Sequence, residues 1–201
     1  MKKFLQDPAA WILLGTNLFI LFHYIEFPGS IHTVIALFWL QSVLIGIFNV
    51  LDIFTVTHVV KDSYASNWSA GGVKIHAGLF FFLHYGFFHA AYLVILISTV
   101  IDIRKIDWPF MIFSFWFLVA GSAIGFIHNK IRNRTQAAHI GNMFIMPYAR
   151  IIPMHFVILV PAFLHVSAPM VFIICKIIAD MVMHVVYQKA IFKPMVSLNM
   201  Q

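Results

Sequence analysis

Apolar residues run through this chain in long stretches, and short polar clusters separate them. Each stretch approaches the roughly 20 residues that carry a helix across the hydrocarbon of a bilayer. The breaks fall at Glu26 with Pro28-Gly29, at the polar segment from Val60 to Gly72, and at the charged run Asp102, Arg104, Lys105 and Asp107. Two more fall at Asn129 to Asn142, the most hydrophilic connection, and at Ser167 to Pro169. The pattern therefore predicts six helices, over about 8–27, 32–57, 74–100, 108–128, 146–165 and 169–192. Pro8 suits a first helical turn, where its missing N–H is no loss. The last break is so short that spans five and six form an antiparallel hairpin. No repeat of 20–50 residues and no heptad array is present, so residues 1–201 read as one transmembrane domain, an all-α six-helix bundle.

Composition agrees. Of 201 residues, 62% are hydrophobic and 10% charged; a soluble domain has about 45–50% and about 25%. Mean hydropathy is +0.91. The formal charge of +6 sits mainly in the connections, where Lys and Arg set orientation. With the N-terminus inside, one face receives Lys2, Lys3, Lys61, Lys74, Lys130, Arg132, Arg134, Arg150, Lys189 and Lys193, and the other only Arg104 and Lys105. Both termini are then expected in the cytoplasm, and the charge points to no nucleic-acid partner. The partner is the lipid bilayer. Lys2 and Lys3 precede an apolar run, but Asp7-Pro8 interrupts it and no small-residue cleavage pattern follows, so the first span is expected to be retained. The single cysteine, Cys175, permits no disulfide framework or cysteine metal motif within one chain. Gly121-x-x-x-Gly125 allows close helix approach, either inside the bundle or in a homo-oligomer.

Chemistry concentrates in the last span. Lys176, Asp180 and His184 recur every four residues and project from nearly one helical face. Ionisable groups in hydrocarbon cost free energy unless they meet each other, a metal or water. Counting from the connections puts His184, Asp180, His155, His84, Asn49 and Asp52 at one depth, roughly 7–15 Å from the cytoplasmic ends of four spans. In span two, Gln41, Ser42, Ile45, Asn49 and Asp52 share a face. Spans one and four read as nearly devoid of polar groups. Neutral imidazole plus carboxylate suits zinc or iron. The expected metal set is His84, His155 and His184, with Asp180 as fourth ligand or general base and Asp52 as the alternative carboxylate. Lys176 is expected to act beside Asp180, on its charge or on an anionic substrate group. His89 diverges from His84 by about 140° around the helix. The other histidines, including His23 and His32, lie near interfaces or in loops and read as solvated.

Several stretches resemble an uncharacterised bacterial family of short polytopic membrane proteins, a domain of unknown function. The resemblance rests on Trp39-Leu40-Gln41-Ser42 with Gly46-Ile47-Phe48-Asn49, on His84-Tyr85-Gly86-Phe87-Phe88-His89, on Arg150-Ile151-Ile152-Pro153-Met154-His155, and on Lys176 through Asp180 to His184. The family pattern carries an acidic residue where Gln41 stands. The resemblance implies a multi-pass protein of the bacterial inner membrane and brings no activity with it. A looser similarity of site chemistry is to membrane hydrolases of the alkaline ceramidase and adiponectin-receptor type, which hold zinc with intramembrane histidines but have seven spans and a different motif order. The leading expectation is a zinc-dependent hydrolase acting on a lipid or amphiphile. The alternatives are a haem protein with axial His84 and His155 or His184, a proton or metal transporter using Lys176-Asp180-His184 as relay, and a structural subunit of a membrane complex.

Overall fold

The structure, a computed structural model, describes residues 8–60, 67, 69–134, 136–148 and 169–194. Among these, six helices and three short strands follow one another. Helix α1 (Pro8–Glu26) leads through a 3-10 turn (Pro28–Ser30) into α2 (Ile31–Thr55) and strand β1 (His58–Val60). Then come α3 (Ala70–Thr99), a second 3-10 turn (Ile103–Lys105), α4 (Trp108–Arg132) and β2 (Gln136–His139). Helix α5 covers 140–148. Helix α6 (Pro169–Ile191) and β3 (Phe192–Pro194) follow.

Local chemistry explains the helix ends. Pro28 and Gly29 stop α1, and the chain turns for only three residues before α2 starts. The Ser69 hydroxyl caps α3 by accepting from the Gly72 N–H at 3.0 Å. Asp107 caps α4, accepting from the Phe110 N–H at 3.1 Å, with proline in the first turn. Such caps each contribute about 1 kcal/mol by satisfying an orphan N–H. The Asp107 N–H in turn donates to Thr33 Oγ1 at 2.9 Å, and His32 Nδ1 accepts from the Asp102 N–H at 3.2 Å. This end of the bundle is therefore tied together, and His32 belongs to that tie and is not simply solvated.

Helix α2 is the centre. It packs against α3 on one side and α4 on the other, while α1 packs against α4 and α6. In its most apolar stretch 56% of α2 is buried, against 11% for α4. Close contact with α3 depends on Gly46, where any Cβ would run into the Tyr85 ring. Tyr85 then donates from its hydroxyl to the Ser42 carbonyl at 2.8 Å. Gly46→Val is expected to separate these helices and to lower the melting temperature in detergent by several degrees, because overpacking costs about 1–3 kcal/mol. Gly15→Ala, where nothing lies within 4 Å, is the matched control and should be silent.

Three of the described helices are long and apolar enough to cross a membrane: Pro28–Thr55, Ala70–Thr99 and Trp108–Arg132. Ala10–Glu26 is a shorter apolar helix. Large apolar side chains cover the outside, among them Leu83, Phe87 and Trp116 at 68%, 70% and 64% exposure, a surface more extensive than water tolerates on a monomer. The architecture is thus largely helical and compatible with a membrane protein. Of the expected fifth span only 146–148 are described.

The connections differ from the sequence reading. Residues 129–142 are not one loop. Helix α4 continues to Arg132, β2 occupies Gln136–His139, and α5 begins at 140. Strand β2 pairs in parallel with β1, Ala138 opposite Val59, and antiparallel with β3, Ala138 opposite Phe192. The reason lies in Ala137 and Ala138, which are buried at 3% and 0%. Ala138 joins Ile53, Val56, Val73, Phe81, Tyr85 and Met143 in a second apolar cluster at this end. The strands also pair backbone groups that the helix ends leave over. Because β1, β2 and β3 follow the C-termini of α2, α4 and α6, these three helices end on the side of the sheet.

Candidate functional site

Helix α6 carries a buried stripe at four-residue spacing. Ile173, Lys176, Ile177, Asp180 and His184 are 9% exposed or less, whereas Ile174, Ile178 and Val182 on the other sides are 44%, 57% and 54% exposed. The polar face expected from the sequence thus points into the bundle.

At its centre lies a closed polar cluster. Lys176 Nζ stands 2.7 Å from Asp180 Oδ2. It also donates to Asn17 Oδ1 at 2.9 Å and to Gln41 Oε1. An ammonium has three N–H donors and no acceptor, and here three oxygens from three helices receive them. The Phe38 ring adds its face, with Nζ 4.1 Å from the centroid. Asn17 closes the circuit by donating from Nδ2 to Asp180 Oδ2 at 3.0 Å. One amide therefore serves both members of the ion pair, its oxygen toward the cation and its nitrogen toward the anion. Lys176 is 2% exposed, Asp180 6% and Asn17 0%. Two charges leave water at a cost of several kcal/mol each, repaid only when geometry and hydrogen bonds are good; this cluster meets that condition.

Asn17 stands in span one, which reads from the sequence as nearly apolar. The signal was present: an amide in the middle of an apolar helix is costly in hydrocarbon and turns toward a partner. Span four likewise supplies Ser122.

A cavity of about 150 Å³ adjoins the cluster. Its polar wall includes Thr16 of α1, Gln41, Asn49 and Asp52 of α2, Ser122 and Asn129 of α4, and His184 of α6. Four of the five residues on the face read from span two, Gln41, Ile45, Asn49 and Asp52, thus line the cavity. Gly121 and Gly125 also line it. A Cβ on Gly121 would meet Ile12 Cγ2 of α1 at 2.7 Å, so this small-residue face is used inside the bundle. Asn49 Nδ2 donates to the Met143 carbonyl at 3.0 Å and ties α2 to α5. Asp52 Oδ1 lies 3.1 Å from Lys130 Nζ of α4.

The expected metal ligands fall in different places. His184 is buried at the cavity wall. His84 is exposed, with Nδ1 2.6 Å from the Tyr148 hydroxyl of α5 and its ring stacked on Phe80. His155 lies outside the described residues. Asp180 has committed Oδ2 to Lys176 and Asn17. Asp52, the alternative carboxylate, pairs with Lys130. Among the described residues, no three His, Cys, Asp or Glu side chains stand together as a group that could hold a metal ion. His89 is buried, donates from Nδ1 to its own helix at Tyr85 O, 3.0 Å away, and stacks on the Tyr85 ring. The Trp39 indole N–H reaches the His89 carbonyl at 3.2 Å. Three of the four segments read together from the sequence interlock, Trp39 with His89, Ser42 and Gly46 with Tyr85, and Gln41 with Lys176; the fourth, Arg150 to His155, lies outside the described residues.

No curated protein and no solved structure matches the chain. One family model does, over residues 1–197, and its family is described as one of unknown function. With the match running through all the helices described above, the chain belongs to this family of unknown function, DUF6498.

Proposed function

We propose that this is a multi-pass membrane protein whose Lys176–Asp180 pair works as a proton relay, in a proton-conducting or proton-coupled transport step. The observation that carries the reading is the pair itself, in contact at 2.7 Å, held by Asn17 and Gln41 and joined through Gln41, and through His184 on the same helix face, to a cavity that both of these residues line. Intramembrane ionisable side chains that face a cavity mark proton and ion routes. Moving one proton from Nζ to Oδ2 turns the ion pair into a neutral amine and a neutral acid. A medium of low dielectric penalises that state less than separated charges. The acid can then release its proton to water or to His184, one turn further on, and the amine takes up another, which restores the pair.

The membrane setting follows the same logic. Helices α1 and α6, and a fifth span over 146–165, complete a six-span bundle in this reading. The sheet end carries Lys74, Lys130, Arg132 and Arg134, an excess of positive charge that supports a cytoplasmic position for it and for both termini. The metal-hydrolase reading stands second. It draws on His184 and Asp180, both buried one turn apart, and needs a further ligand such as His155. The commitment of Asp180 Oδ2 to Lys176 and Asn17 favours the relay.

The test is proton flux into proteoliposomes under an imposed pH gradient. The native chain should conduct or couple protons, and Asp180→Asn should lower the flux about tenfold or more. Flux that survives Asp180→Asn and His184→Ala unchanged would reject the relay.

A further inference from the structure

The relay described above needs a way for water to reach it, and the shape of the cavity supplies one. Helix α2 lines the cavity from Gln41 to Asp52 and α4 from Leu118 to Asn129. Each stretch advances about 16 Å along its helix. The two helices run side by side in the same direction, since Asp107 at the start of α4 meets Thr33 near the start of α2, and Lys130 near the end of α4 meets Asp52 near the end of α2. The cavity is therefore a furrow along the bundle axis. About 150 Å³ is room for roughly ten waters, a column along that length. Small side chains on α4 make the room: Gly121, Ser122 and Gly125 face the furrow.

Its inner end is Gln41. This amide has given its oxygen to Lys176, so the group it keeps for the cavity is its NH₂, a donor that suits a water oxygen. Its outer end is formed by Asp52 and Asn129, each three residues from the end of its helix. There Lys130 Nζ spans from α4 to the Asp52 carboxylate at 3.1 Å, and also lies 5.4 Å from the centre of the Phe126 ring, another lining residue. Lys130 and Asp52 side chains are 30% and 15% exposed, as befits a boundary between cavity and solvent.

We infer that the furrow between α2 and α4 is an aqueous half-channel, open to water and through it to protons, and that the Asp52–Lys130 pair is the latch across its mouth. This rests on the relay reading for its purpose, but its test does not pass through proton movement. The chain has one cysteine, Cys175, which is exposed on the outside of α6, so Cys175→Ser gives a background with no thiol. Into it Ser122→Cys places one thiol in the furrow. Silver ion, small enough to follow a file of waters, is added to sealed vesicles from either face. The modified fraction is read as lost maleimide labelling after denaturation. The thiol should react from the face that carries Lys130, and slowly while the latch is intact. A partly exposed ion pair holds such an opening weakly, so Lys130→Met or Asp52→Asn should speed the reaction about fivefold. The exchange of charges, Asp52→Lys with Lys130→Asp, should return it toward the native rate. A thiol at Leu37, fully buried and away from the furrow, should stay unreactive throughout. A Ser122→Cys thiol that never reacts, reacts only from the opposite face, or reacts at one rate in all variants would overturn the inference. So would a latch variant that also exposes the Leu37→Cys thiol, since that reports general loosening. Silver reactivity that follows the latch in a protein that moves no protons would keep the half-channel and reject the relay alone.

Discussion

Asp180→Ala should destabilise the protein by about 3–5 kcal/mol, measured as reversible unfolding in mixed micelles. The substitution leaves Lys176 as an ammonium at 2% exposure without its carboxylate, facing the neutral amide oxygens of Asn17 and Gln41. The cost arises from the stranded charge and not from the net worth of the pair. Replacing both partners together, Lys176→Met with Asp180→Leu, removes the charges and their desolvation cost at once. That variant should be clearly more stable than Asp180→Ala and within about 2–3 kcal/mol of the native chain, because well-packed apolar side chains commonly replace a buried pair without loss while the buried Asn17 and Gln41 amides lose their ionic partners. Similar instability in the single and double variants would mean that the pair is needed for folding itself.

Asn17→Leu should have the next largest effect, about 3 kcal/mol. Asn17 makes one hydrogen bond to each charged partner, and hydrogen bonds to charged groups contribute about 1.5–3 kcal/mol each. Leucine keeps the volume and the apolar character of the helix but satisfies neither ion. Thr16→Val, one residue earlier, is the control. Its hydroxyl donates to the Ile12 carbonyl of the same helix, at 2.7 Å, a local bond whose loss costs little. The same unfolding measurement checks both. An Asn17→Leu variant as stable as Thr16→Val would remove the amide from the centre of the account.

What could be read from the sequence follows from physical range. Helix positions were legible because apolar stretches and their Pro, Gly and charged breaks act over neighbouring residues. Pro28-Gly29 and Asp107 mark real helix ends. The inward face of α6 was legible too, since four-residue spacing among apolar residues leaves few other orientations for Lys176, Asp180 and His184. Short strands were not. Gln136–His139 has four residues and pairs with His58–Val60, nearly 80 positions earlier, and nothing in Ala137-Ala138 announces that partner. Depth counting gathered histidines and acids at one level, but depth says nothing of direction around a helix. His84 is exposed beside Tyr148, whereas His184 lines the cavity. A search for ionisable residues alone passes over Asn17, a neutral side chain whose importance comes from joining an oxygen acceptor and a nitrogen donor in one planar group.

Because the paired replacement of Lys176 and Asp180 is expected to fold, it separates structure from function. Proton flux through that variant, reconstituted beside the native chain, tests the account most directly. The relay requires that the folded Lys176→Met/Asp180→Leu protein pass no protons above empty vesicles while the native chain does. A folded double variant that carries protons at the native rate would show that the buried pair only holds the helices together.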